Sequence, residues 1–407
     1  MFDYSVVVLG GGPAGLAAAI SASQNFAKTL LIEREARLGG ILKQCIHDGF
    51  GLINFGERLT GPEYANRYIQ QFLTHKIEYR LETFVTSAKK IEGGVALTLQ
   101  SGEGMMQITT KALVIACGCR ERTSRQVFIH GDRPAGIYSA GTAQYFVNIL
   151  GAMPTKKCVI LGSGDMGLIM ARRLTLEGAK VLGVYEVKAE PSGLTRNIVQ
   201  CLDDFNIPLY LKKTVTRVIG KNRVEAVEVA SVDANFNPII GTEEVLDCDA
   251  VILSVGLIPE NEVAENLKIE LDSATKGAIV DERLMTSVEG VFSCGNALHV
   301  NDLVDYVSQS GTIAGKSAAN YKEEQQGKHR VEYKKEHFLY VLPQRVKQGG
   351  EAEFYFRSRS TVKNAVVVVK QNGKELFKKR YANLIPSEME CIKFSFQEGN
   401  LDFEMEV

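Results

Sequence analysis

Apolar residues cluster first in short unbroken runs. Ser5-Val6-Val7-Val8-Leu9 leads directly into Gly10-Gly11-Gly12-Pro13-Ala14-Gly15. An Ala-rich stretch follows over 16–24, and a second run, Thr29-Leu30-Leu31-Ile32, ends on Glu33. Runs of this kind predict strands buried on both faces, as in a parallel sheet, with a helix between them. The same order of strand, glycine turn, helix, strand and acid recurs 152 residues later. There Lys157-Cys158-Val159-Ile160-Leu161 enters Gly162-Ser163-Gly164-Asp165-Met166-Gly167, a helix spans 168–176, and the strand 181–185 ends on Glu186. Buried strands are also predicted at 112–116, ending at Cys117-Gly118, at 248–255, ending at Gly256, and at 291–294, ending at Gly295-Asn296. Alternating segments at 95–99 and 105–110 predict an antiparallel excursion, and 223–230 reads as one more strand. A helix over 302–324 and a charged linker over 322–330 close this part of the chain.

The pattern changes at about residue 332. Apolar and polar positions alternate at 353–357, 392–396 and 401–407, and Gln371-Asn372-Gly373-Lys374 sits between two strand-like runs, with Asn-Gly a strong hairpin signal. The segment 332–407 is therefore expected to be an all-β, sandwich-like module. Its core candidates are Phe354, Phe356, Ile392, Phe394, Phe396, Leu401, Phe403, Met405 and Val407.

Composition narrows the function classes. The 407 residues carry 47 basic and 48 acidic side chains, a net charge of −1, with 45% apolar and 23% charged residues. That excludes a disordered chain and argues against a clustered basic nucleic-acid binder. No apolar run reaches the roughly 18 residues of a transmembrane helix. Met1-Phe2-Asp3-Tyr4 lacks a basic leader and reads as the start of a buried strand. The eight cysteines (45, 117, 119, 158, 201, 248, 294 and 391) contain no Cys-x-x-Cys, which suits a reduced, cytoplasmic protein. Cys117-Gly118-Cys119 lacks a second pair, and His47, His75, His130, His299, His329 and His337 show no ligand spacing, so no metal site is expected.

Each glycine motif has a definite physical task. The first Gly makes the turn, the second lets the backbone approach a pyrophosphate, and the third allows close helix packing. The acid, Glu33 or Glu186, takes ribose hydroxyls, and the helix start offers N–H donors to phosphate. Two ligand-free glycine turns would explain the glycines, but not an acid at the matching place in both copies.

On these residues the chain, over about 1–325, resembles the two-dinucleotide-domain flavoprotein reductases, the pyridine nucleotide-disulfide oxidoreductases. The resemblance implies an α/β fold with two nested Rossmann-like domains. The FAD-binding domain would be discontinuous, 1–120 and 252–325, and the NAD-binding domain would span 121–251. It also implies FAD contacts from Gly10, Gly12, Pro13, Ala14, Gly15, Glu33, Gly40, Cys45, Gly118, Gly295 and Asn296. NAD contacts would come from Gly162, Gly164, Asp165, Met166, Gly167, Glu186 and Gly256. Asn296 stands where the family's second FAD box normally carries Asp. The loop 38–47 has one Cys where the glutathione reductase type has two, and 136–142 lacks the thioredoxin reductase Cys-x-x-Cys. A disulfide-lacking subgroup fits better: the NAD/FAD-binding subunits of sarcosine, proline and anaerobic glycerol-3-phosphate dehydrogenases.

The implied function is hydride transfer between NAD(H) and FAD, with electrons passed to or from a partner dehydrogenase or electron-transfer subunit. Glu186, with Lys188 as its only nearby cation, favours NAD(H) over NADP(H). Two other readings stay open: a stand-alone NADH oxidase or peroxidase using Cys45, and a non-enzymatic nucleotide-bound scaffold. Lys43 and His47 could lower the Cys45 thiol pKa; alternatively Cys45 packs as a small hydrophobe. His299 either approaches the flavin or is simply packed. The helix near Asp302 would point its positive end at the flavin, with Asp302 as its cap. The tail is expected to dock a partner or support a homo-oligomer, leaving the nucleotide domains complete without it.

Overall fold

The computed structural model describes residues 2–323 and 325–406. Met1, Glu324 at the expected helix end, and the tail candidate Val407 lie outside the described residues. The chain forms two compact units, Met1–Cys119 with Pro259–Val407, and Arg120–Ile258.

In the first unit the unbroken apolar runs form parallel strands. Tyr4–Leu9 lies between Thr29–Ile32 and Gly104–Ile115, and Val291–Ser293 pairs with the far side of Gly104–Ile115. The segments expected separately at 105–110 and 112–116 are one twelve-residue strand. Its first half pairs antiparallel with Gly94–Ser101, and its second half pairs parallel with Tyr4–Leu9. The alternating residues therefore lie where one face is open, and the unbroken ones where both faces are covered.

The helices Pro13–Gln24 and Val304–Ala319 pack together on this sheet. A Cβ on Gly311 would sit 2.1 Å from the Ala14 carbonyl oxygen, and one on Gly315 would sit 2.1 Å from that of Ala18. The two backbones meet directly, and a stripe of small residues spaced four apart on each helix permits it.

The second unit has a five-stranded parallel sheet ordered Ile137–Ser139, Ala250–Leu253, Lys157–Leu161, Lys180–Glu186, Leu209–Leu211. A four-stranded sheet carries Lys213–Ile219, Ala226–Ser231 and Glu244–Asp247, with His130–Gly131 at one edge.

The tail forms a five-stranded and a three-stranded sheet around its own core. Phe354, Phe356, Ile392, Phe394, Phe396, Leu401, Phe403 and Met405 are all buried there, and the Phe354 and Phe394 rings stack at 4.7 Å. Asn372 and Gly373, both at positive φ, join Val362–Gln371 to Lys374–Leu384 as a two-residue hairpin.

The expectation of a detachable tail needs correction. Tyr340, Leu342, Tyr355 and Met389 belong to the main hydrophobic cluster of the first unit. Arg345 N–H donates to the Val280 carbonyl at 3.2 Å, and Lys347 N–H to Glu282 at 2.9 Å. Alternation predicts a strand's inner face, but carries no signal that the opposite face, here Tyr340 and Leu342 on Phe338–Leu342 and Tyr355 on Gly350–Ser358, covers a second core.

Candidate functional site

In the first unit, Gly10 adopts φ +105°, and a Cβ there would lie 2.4 Å from the Ala116 carbonyl oxygen. A Cβ on Gly15 would lie 1.8 Å from the Gly10 carbonyl oxygen, so only glycine lets the helix begin this close to the strand end. Gly12 caps the helix Pro13–Gln24 without a side-chain hydrogen bond. The backbone of Gly40 approaches it, since a Cβ on Gly40 would be 2.9 Å from Gly12 Cα. Glu33 is buried, and its carboxylate accepts from Gly11 N–H at 2.6 Å and Glu35 N–H at 2.8 Å. The structure thus gathers Gly10, Gly12, Pro13, Ala14, Gly15, Glu33 and Gly40 at one sheet end.

Gly118, at φ +75°, follows the neighbouring strand Gly104–Ile115. Gly295 abuts the same helix start, because a Cβ there would sit 2.7 Å from Ala14 Cβ. Asn296 accepts from Asn301 N–H at 3.0 Å, and its amide lies 3.7 Å from Cys119 Sγ. It is therefore a loop-holding amide as well as a candidate contact.

The second unit repeats the plan. Gly162 takes φ +97°, and a Cβ on it would lie 2.1 Å from the Ser254 carbonyl oxygen; one on Gly167 would lie 2.6 Å from the Gly162 carbonyl oxygen. Gly164 caps the helix Asp165–Leu176, again without a side-chain hydrogen bond. Glu186 is buried and accepts from Ser163 N–H at 3.0 Å and Ser163 Oγ at 2.5 Å. Asp165 turns to the loop beyond, accepting from Leu194 N–H at 2.9 Å and Asn197 Nδ2 at 2.7 Å. Met166 packs against the core beneath, and Gly256 follows the strand Ala250–Leu253 at φ +101°. Sequence reasoning missed Ser254, whose Oγ accepts from Gly167 N–H at 3.0 Å.

Gly61–Thr74, away from the glycine turns, has a complete capping box between Thr60 and Glu63. Pro13–Gln24, Asp165–Leu176 and Val304–Ala319 have no side-chain cap bond. The open N-termini of Pro13–Gln24 and Asp165–Leu176, each in a glycine cradle beside a buried carboxylate, fit two dinucleotides, whose phosphates would take these donors.

Asp302 does not cap the last helix, which begins at Val304 after Leu303. Its carboxylate instead pairs with Arg357 of the tail and accepts from Met389 N–H at 2.6 Å. Asp305, missed from sequence, is 1% exposed in the first turn, where it holds the loop 51–54 through Gly51 N–H at 3.2 Å and Asn54 N–H at 3.0 Å. His299 is packed: its ring lies among Tyr340 and Tyr355, and burial followed by the Arg357 charge lowers its pKa to about 3, leaving it neutral.

Cys45 is buried at the end of the short helix Gly40–Gln44, with Sγ 3.4 Å from the Ile41 carbonyl oxygen. Burial pushes its thiol up to about 12. Lys43, expected to lower that value, is committed to Glu35 at 2.6 Å and the Arg37 carbonyl at 2.9 Å. A raised pKa leaves the neutral thiol dominant through pH 8 and thiolate abundant only near pH 12, so Cys45 is a poor nucleophile at neutral pH. Cys45→Ser is expected to leave NADH-driven dye reduction within about twofold of the parent, since hydride exchange needs no thiol. Near-total loss with flavin still bound would reverse that assignment.

Residues 4–330 match the pyridine nucleotide-disulphide oxidoreductase family. Hydrogen cyanide synthase subunit HcnB of Pseudomonas protegens is 27% identical over 290 residues, 67% of this chain and 60% of that one. The chain thus spans 60% of the length of that relative. Ferredoxin–NADP reductase 1 of Bacillus mycoides is 25% identical over 331 residues, covering 79% of this chain and 89% of that one. The solved thioredoxin reductase of T. acidophilum shares the fold with a TM-score of 0.62 at 22% identity, over 78% of this chain and 98% of that one. No helix among the described residues is long and apolar enough to cross a membrane. Two glycine cradles with their buried acids, in a chain matched over four-fifths of its length, lead to one conclusion: the protein belongs to the pyridine nucleotide-disulphide oxidoreductase family.

Proposed function

We propose that the chain exchanges hydride between NAD(H) and FAD and passes the electrons to or from a partner protein, a dehydrogenase or electron-transfer subunit. The observation that carries this reading is the pair of open glycine cradles, each beside a buried carboxylate, together with a lone, protonated cysteine where a disulfide reductase needs two. FAD, once bound, supplies the hydride exchange itself. The chain's own residues bind and orient. Gly10, Gly12, Pro13, Ala14 and Gly15 with Glu33, Gly40, Cys45, Gly118, Gly295 and Asn296 would line the FAD. Gly162, Gly164, Asp165, Met166 and Gly167 with Glu186 and Gly256 would line the NAD(H). Without a dithiol relay, electrons leave through another protein. HcnB, named as a synthase subunit, supports a role inside an assembly. The same reading assigns the chain to the cytoplasm, where thiols stay reduced.

The purified protein is expected to be yellow and to bleach anaerobically with NADH, more slowly with NADPH. Glu186→Ala should cut the NADH preference roughly tenfold by removing a carboxylate that repels a 2′-phosphate. A colourless protein that refuses FAD on reconstitution would overturn the reading.

A further inference from the structure

The two acid–glycine pairs differ at one residue. In the first, position 11 is glycine, and a Cβ there would lie 2.7 Å from Leu38 Cδ2 and 3.0 Å from Glu33 Oε2, so a side chain would press on both. In the second, the matching position is Ser163, which is 0% exposed. Its hydroxyl donates to Glu186 Oε2 at 2.5 Å and accepts from Ser192 N–H at 2.9 Å. Ser163 N–H donates to the same Oε2 at 3.0 Å, and Ser192 Oγ adds a third donor at 3.2 Å. Lys188 N–H donates to Oε1 at 3.0 Å.

A carboxylate oxygen has two lone pairs. Oε2 therefore has its acceptor capacity filled by this chain, while Oε1 accepts one bond, from Lys188 N–H, and keeps one lone-pair direction. From this geometry we infer that Ser163, supported by Ser192, is a positioning residue for coenzyme choice. It fixes the rotamer of Glu186, so that Oε1 alone remains to take a ribose hydroxyl, where a carboxylate disfavours a 2′-phosphate. The inference rests on the reading of Glu186 as the ribose acid. Ser163 also ties the segment 188–192 to the glycine turn, so the carboxylate and the loop beside it are held by one hydroxyl. The first pair, lacking the hydroxyl, holds Glu33 with two backbone N–H groups, Gly11 and Glu35.

The test uses the FAD-loaded protein and four variants: Ser163→Ala, Ser192→Ala, Glu186→Ala and Ser163→Ala with Glu186→Ala. Equilibrium dissociation constants for NADH and NADPH analogues that do not react, and KM and kcat for flavin-coupled dye reduction, are measured for each. Ser163→Ala is expected to weaken NADH binding roughly fivefold, the worth of one hydrogen bond, with kcat unchanged and NADPH binding unchanged or tighter. Ser192→Ala should do the same to a smaller extent. In the Glu186→Ala background, Ser163→Ala should have no further effect on the NADH/NADPH ratio, because it acts only through that carboxylate. A merely structural role would weaken both coenzymes together, and would do so with or without Glu186; that result overturns the inference. If Glu186→Ala itself leaves the ratio unmoved, the ribose-acid reading falls and the inference with it. If Glu186→Ala collapses the ratio while Ser163→Ala does not, only the positioning role is lost.

Discussion

Gly311→Val is expected to yield protein that has lost most of its flavin and unfolds well below the parent temperature. Gly311 lies where the helix Val304–Ala319 touches the backbone of Pro13–Gln24, with Ala14 Cα 2.9 Å and the Ala14 carbonyl oxygen 2.1 Å from any added Cβ. No rotamer relieves a clash between a side chain and backbone, so the helices must separate. Overpacking of this kind costs about 3 kcal/mol or more. In a unit of this size that corresponds to a fall in Tm of roughly 6–12 °C. The damage also reaches the site, because Ala14 opens the glycine-cradle helix and sits against Gly295. The ratio of flavin to protein absorbance and a thermal scan measure both effects. Gly102→Ala is the control: nothing lies within 4 Å of its Cβ position, and neither quantity should move. Full flavin occupancy at the parent Tm in Gly311→Val would show that the two helices are not locked together.

Deleting residues 331–407 is expected to produce insoluble or flavin-free protein. Deletion strips Tyr340, Leu342, Tyr355 and Met389 from the first unit's main cluster. Each such side chain contributes about 1.5–3 kcal/mol by burial. It also leaves Asp302 without Arg357, whose guanidinium additionally donates to the Ser387 carbonyl at 2.7 Å. Arg357→Ala isolates that part: it removes one partner of a largely buried ion pair and should cost about 3 kcal/mol, with flavin retention falling. A truncated protein that stays soluble, yellow and reducible by NADH would restore the detachable module.

The parallel strands and both cradles were legible because their physics is local. An unbroken apolar run, a glycine that must turn and an acid one strand later all lie within one short stretch of chain. The Asn372-Gly373 hairpin was legible for the same reason, two residues at positive φ between alternating runs. What stayed hidden depends on distant partners. Asp302 reads as a helix cap until Arg357, 55 residues away, claims its carboxylate. Lys43 reads as an activator of Cys45 until Glu35 takes its charge. Gly311 and Gly315 carried a visible signal, two glycines one helical turn apart, but it means close packing only when Ala14 and Ala18 are recognised as the facing pair. Ser163 stood inside the motif with no assigned task, because its acceptor, Glu186, reaches it only after the intervening helix folds back.

The interruption of the first unit by the second has a consequence for how the protein is made. The helix Pro13–Gln24 leaves the ribosome early, yet its packing partner begins at Val304, 280 residues further on. At roughly 5–20 residues per second that gap is on the order of half a minute. During that time the inserted unit, Arg120–Ile258, can complete its own core, while the flanking sheet still lacks Val291–Ser293 and its helix cover. The nascent chain thus carries a finished domain on an open, apolar scaffold, and the flavin cradle closes only as one of the last steps of its birth.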